Sequence, residues 1–107
     1  MAMEELRKNE AVLRKLSEFV QFPSVSAFAT HVAALRTCAA WLASHLRTIG
    51  LDHADVLPTG GHPVVFADWH HAPGRLTLLI YGHYDVQPAE PLEAWQSPPF
   101  VPTVRED

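Results

Sequence analysis

Apolar positions along this chain change period several times. From about Ala2 to Gln21, Leu6, Leu13, Leu16 and Val20 recur at helical spacing with Val12 and Phe19 beside them, while Arg7, Lys8, Arg14 and Lys15 lie off that stripe. This pattern predicts an amphipathic helix. Pro23 disfavours helical backbone at Phe22, so the helix stops there and Ser24-Val25-Ser26 opens an irregular link. A second helix is predicted to start between Ala27 and His31 and to run to Ile49. It is carried by Val32, Leu35, Ala39, Leu42, Leu46 and Ile49, with Gly50 as its stop. Cys38 and Trp41 fall near this stripe, which assigns the thiol to core packing and not to a nucleophile role.

Beyond Gly50 the pattern turns β-like. Ala54-Asp55-Val56-Leu57 reads as a short strand before Pro58 and the Gly60-Gly61 turn, and Pro63 to His70 as a longer one. Ala72-Pro73-Gly74 is a turn signal that leads into Leu76-Thr77-Leu78-Leu79-Ile80-Tyr81, a continuous apolar run. Such a run predicts a strand covered on both faces, paired with the preceding strand as a hairpin. Five of the nine prolines lie between Pro88 and Pro102, so Gln87 to Pro102 is predicted to be ordered loop, with Trp95 and Phe100 as apolar anchors. The fold class expected is α/β: two helices packed on a small mixed sheet of three or four strands.

Composition narrows the function classes. A chain of 107 residues is one small domain at most. With 48 % apolar and 19 % charged residues it is of ordinary globular type. A net charge of −4 with eight scattered Lys and Arg residues argues against nucleic acid as a partner. Cys38 is the only cysteine, so a reducing compartment is expected. The charged start lacks the apolar core of a signal peptide, and no apolar run approaches the roughly 18 residues that would span a membrane. The expected location is cytoplasmic, without membrane partners.

The candidate chemistry lies where the apolar run turns polar, at Gly82-His83-Tyr84-Asp85. Strand side chains alternate between faces, so His83 and Asp85 project to one side with Tyr84 opposite. Neutral imidazole is a good zinc ligand, and a metal-binding histidine commonly gives its other N–H to a carboxylate. Asp85 is placed to be that partner, and ligands gather outside the carboxyl ends of strands in open α/β sheets. The other histidines assemble no site by spacing: His31 and His45 fall on the second helix and His70-His71 abut a turn, all in solvated or packed roles. His62 follows Gly60-Gly61 in a stretch without a phosphate-binding fingerprint, which favours a tight turn. Serine-nucleophile elbows, His-Glu-x-x-His and paired Cys-x-x-Cys are absent.

Tyr81-Gly82-His83-Tyr84-Asp85-Val86-Gln87-Pro88 strongly resembles the first metal motif of the dizinc peptidase and deacylase family. That family includes carboxypeptidase G, acetylornithine deacetylase, succinyl-diaminopimelate desuccinylase and the carnosine-type dipeptidases. The likeness extends to Phe22-Pro23-Ser24-Val25-Ser26, Trp41-Leu42, Pro58 to Val65, and Trp95 through Pro102, and its form is most like the dipeptidase branch. By this resemblance His83 is a metal ligand and Asp85, which holds its ring, is catalytic. The implied cofactor is zinc, two ions in the intact family enzyme, with cobalt or manganese as alternatives. The implied reaction is hydrolysis of a dipeptide or an N-acyl amino acid by a metal-activated water, in an enzyme that as an intact protein forms a homodimer.

The chain departs from that family in what it lacks. The Gly-Arg-Gly-x-x-Asp-Asp-Lys-Gly segment, the glutamate pair, the later carboxylate, the distant histidine and the inserted small domain are absent. One protein ligand remains, whereas a catalytic zinc needs about three and an open position. Residues 1–107 therefore resemble the N-terminal portion of a zinc-peptidase-like catalytic domain, expected to be inactive alone. Asp107 matches no part of the missing motif. A non-catalytic remnant or interaction module that retains the motif by descent is the alternative reading.

Overall fold

The computed structural model describes residues 2–106, which fall into two compact units: the chain up to Pro23 together with Pro88 onward, and Ser24–Gln87. In the first unit, helix α1 spans Ala2–Val20, in agreement with the predicted period. Glu4 and Glu5 in its first turn complement the positive end of the helix dipole. Its last turn closes as Gln21 Nε2 donates to the Ser17 carbonyl and the Phe22 amide to that of Phe19, before Pro23. The predicted apolar stripe is open to solvent at Val12, Leu13, Leu16 and Val20. Residues 88–106 are loop, as the prolines predict, with one 3₁₀ turn at Leu92–Ala94. Trp95 is tied to this loop by a 2.7 Å hydrogen bond from Nε1 to the Ala89 carbonyl. Arg105 donates to Gln96 and Ser97.

In the second unit, a 3₁₀ turn at Ala29–His31 leads into helix α2, Val32–Thr48. Gly50, at φ 109°, ends it: its amide bonds the Arg47 carbonyl and the Leu51 amide reaches back to Leu46, the two bonds of a Schellman stop. Leu35, Cys38, Ala39 and Ala43 form one buried face of α2. That face packs on a hairpin of β1, His53–Leu57, and β2, Val64–Asp68, paired antiparallel with Ala54 opposite Ala67. Ala54 and Val25 complete the core, and burial pushes the Cys38 thiol pKa up, as expected of a packing cysteine. The connection between the strands is organised by Thr59, whose Oγ1 donates to the His62 carbonyl and accepts from the Gly61 amide.

The α/β class with two helices and a small sheet holds, and the sheet differs in detail from expectation. In place of three or four mixed strands, the described residues form a ladder of two antiparallel strands, with one isolated parallel bridge between Val25 and Val86. The predicted hairpin between the Pro63–His70 stretch and the Leu76 run does not form, because β2 pairs with β1 instead. The turn between them does form: the Arg75 amide bonds the Ala72 carbonyl around Pro73 and Gly74, whose φ of 76° fits a type II turn. Leu76, Leu78, Leu79, Ile80 and Tyr81 are 81–102 % exposed and belong to no ladder, so the predicted buried central strand is neither paired nor covered. A strand buried on both faces needs a neighbour at each edge and a layer above and below. The described residues supply none of these to 76–81.

Candidate metal-binding site

Three short segments of the second unit meet around His83. The link Ser24-Val25-Ser26 runs parallel to Tyr84-Asp85-Val86 through the Val25–Val86 bridge, and the Val86 amide bonds the Ser24 carbonyl at 2.9 Å. Ser24, 2 % exposed, donates its hydroxyl to the Tyr84 carbonyl at 2.8 Å. From the opposite face of the motif, the Tyr84 hydroxyl donates to the Pro63 carbonyl at 2.5 Å. Backbone and side-chain bonds together anchor residues 84–86, although the apolar run before them is bare.

On this anchor His83 and Asp85 meet as the alternation of side chains predicts. His83 Nδ1 lies 3.0 Å from Asp85 Oδ1 and 3.1 Å from the Asp85 carbonyl. Both partners are oxygens, so Nδ1 carries the proton and donates. Nε2 then presents its lone pair, on a side chain 74 % exposed. The second carboxylate oxygen, Oδ2, accepts from Ser26 Oγ at 2.6 Å. The Ser26 hydroxyl holds the Asp85 carboxyl below the ordinary carboxylate range; partial burial opposes this, and the hydrogen bond and charge of His83 add to it. Tyr84 is shifted upward, chiefly by burial.

An imidazole with its Nδ1–H on a carboxylate and Nε2 open to solvent suits a metal ligand with its orienting partner. The donor set fits one ligand of a metal site. Among the described residues no group of three or more His, Cys, Asp or Glu side chains comes together to hold an ion. The remaining histidines have other roles. His45 stacks on Trp41, and the rings of His31 and Phe28 lie 6.2 Å apart. His71 bonds Asp52 and His53 bonds Asp68. His62 occupies the predicted turn and also donates Nε2–H to the Ser26 carbonyl at 2.9 Å, a contact 36 positions back in sequence that spacing does not reveal. Ser26 itself is legible in the sequence only as part of the Phe22–Ser26 resemblance, without a role.

No family model matches the chain. Known proteins do match it along most of its length. The Cys-Gly metallodipeptidase dug1 of Schizosaccharomyces pombe is 32 % identical over 107 residues, covering 92 % of this chain and 22 % of that protein. The crystal structure of the M20 family metallo-carboxypeptidase Sso-CP2 from Sulfolobus solfataricus superposes with a TM-score of 0.77 at 38 % identity, over 88 % of this chain and 21 % of that one. Over most of its length this chain is similar to M20 metallopeptidases. The di-peptidase Dug1p of Saccharomyces cerevisiae shares the fold, with a TM-score of 0.81 at 23 % identity over 96 % of this chain and 24 % of its own. The chain spans about a fifth of the length of each of these proteins. The expected resemblance to metallopeptidases of dipeptidase type is matched by this similarity along most of the chain.

Proposed function

We propose that this chain carries the first ligand motif of an M20 metallopeptidase active site, in which His83 binds zinc through Nε2 and Asp85 fixes the ring. The observation that supports this most directly is the pairing of His83 Nδ1 with Asp85 Oδ1 at 3.0 Å, which leaves Nε2 without a hydrogen-bond partner among the described residues. Zinc held there, with cobalt or manganese as substitutes, would supply Lewis-acid activation of a bound water, lowering its pKa to about 7. Asp85 keeps the imidazole in the Nδ1–H tautomer and stabilises positive charge drawn onto the ring. The reaction is hydrolysis of the amide bond of a dipeptide or N-acyl amino acid, in keeping with the dipeptidase names of its relatives.

Residues 1–107 alone do not turn over substrate on this reading, because one protein ligand falls short of the three that catalytic zinc needs. They form part of a catalytic domain that in the intact enzyme dimerises. The proposed location is the cytoplasm, which suits the single buried Cys38 thiol. No described helix is long and apolar enough to cross a membrane.

The test is a chimera in which this chain replaces the matching segment of the Sulfolobus carboxypeptidase. Zinc-dependent hydrolysis that survives the exchange and disappears with His83→Ala is the expected result. A folded chimera whose activity is indifferent to His83→Ala would overturn the assignment.

A further inference from the structure

We propose that Ser26 is a positioning residue for the metal site: its hydroxyl locks the Asp85 carboxylate, and through it the tautomer and direction of the His83 ring. The proposal rests on the reading of His83 as a metal ligand and adds a residue to it.

The Asp85 side chain is 43 % exposed and that of His83 74 % exposed, so packing holds neither in place. A half-exposed carboxylate bonded at one oxygen remains free to swing about that bond. Asp85 is instead bonded at both, with Oδ1 facing His83 Nδ1 and Oδ2 receiving Ser26 Oγ at 2.6 Å. A hydroxyl at that distance from a carboxylate makes a short, charge-assisted bond of the stronger kind. Ser26 is in turn held from the other side, where its carbonyl accepts from His62 Nε2 at 2.9 Å. The order of contact is therefore His62, Ser26, Asp85, His83.

The two serines of the link divide the task. Within the 84–86 segment Ser24 bonds backbone, through the Tyr84 carbonyl and the Val86 amide, and sets where that segment lies. Ser26 bonds the side chain of Asp85, and sets how the carboxylate faces. Outer partners of metal-ligating histidines commonly carry about 10–100-fold in affinity or activity. Ser26 stands one bond further out, and its loss is expected to cost about tenfold in zinc affinity in the chimera.

The deciding measurement is made without metal, on the ¹⁵N-labelled 107-residue chain near pH 8. Long-range ¹H–¹⁵N spectra of His83 distinguish an imidazole protonated at Nδ1 from one protonated at Nε2. The expected pattern is a predominantly Nδ1–H ring in the wild type, a mixture in Ser26→Ala, and recovery in Ser26→Thr, which restores the hydroxyl. Unchanged His83 shifts in folded Ser26→Ala, or no recovery in folded Ser26→Thr, would overturn the proposal. Couplings reporting the Asp85 χ1 rotamer in the wild type test the lock without depending on the folding of any variant. A single rotamer supports the lock, and averaged couplings overturn it. Zinc added afterwards tests the underlying reading separately: a His83 Nε2 resonance that ignores zinc in the chimera defeats the ligand assignment, whereas the tautomer pattern decides Ser26.

Discussion

His53 and Asp68 face each other across the open end of the β hairpin, with Nδ1 of the one 2.7 Å from Oδ1 of the other. The pair joins register partners at the first residue of β1 and the last of β2. The hydrogen bond to Asp68 raises the His53 pKa above 6.5, and the charges of Asp68, Asp52 and Asp55 add to it against an opposing burial effect. A raised histidine pKa means stabilisation that is complete below the unfolded value and is lost as pH rises through the folded value. NMR titration should place His53 above 6.5 in the wild type and nearer 6.5 in Asp68→Asn. The melting temperature of Asp68→Asn should approach that of the wild type as pH rises from about 5.5 to about 8. A gap that widens over that range would contradict the pairing.

The contrast between buried and bare leucines gives a second expectation. Leu35 is fully buried in the face of α2 that meets the hairpin, and Leu35→Ala should cost about 2–5 kcal/mol. Leu79 is 87 % exposed, and Leu79→Ala should stay within about 0.5 kcal/mol of the wild type. Denaturant unfolding of the two variants measures both. Equal losses would mean that 76–81 is covered in solution.

The same exposure has a consequence for solubility. An uncovered apolar segment with no ladder partner is a template for association. Size-exclusion chromatography of the 107-residue chain should show concentration-dependent association, reduced by Ile80→Lys without loss of stability. A monomer that persists at high concentration would count against this.

Gly50 holds a φ of 109° at the end of α2, with no atom within 4 Å of the place a Cβ would take. Space is therefore not the obstacle to substitution; backbone conformation is. Gly50→Ala should destabilise by about 1–2 kcal/mol, read from the urea midpoint at an unchanged slope.

Micromolar zinc should leave the melting temperature of the isolated chain almost unchanged. Stabilisation by a ligand follows RT ln(1 + [L]/Kd), and a lone imidazole does not bring Kd into that range. A rise of several degrees that vanishes in His83→Ala would reveal further ligands, whether within one chain or between copies.

The helices, the Gly50 stop, both hairpin strands and the approach of His83 to Asp85 follow from local rules: period, proline and glycine chemistry, and side-chain alternation. Each is decided by residues close together in sequence, which is why all of them are legible there. Tertiary structure decided the rest. Leu76 to Tyr81 have the composition of a buried strand, but composition records only that a segment suits burial. Whether it is buried depends on partners at its edges and faces, and the described residues provide none, because β2 takes β1 as its partner. In the same way, nothing in the spacing of Ser26, His62 and Asp85 announces that they touch. Their contacts cross 59 and 36 positions of chain, and they exist because a parallel bridge at Val25 and Val86 lays the two segments side by side.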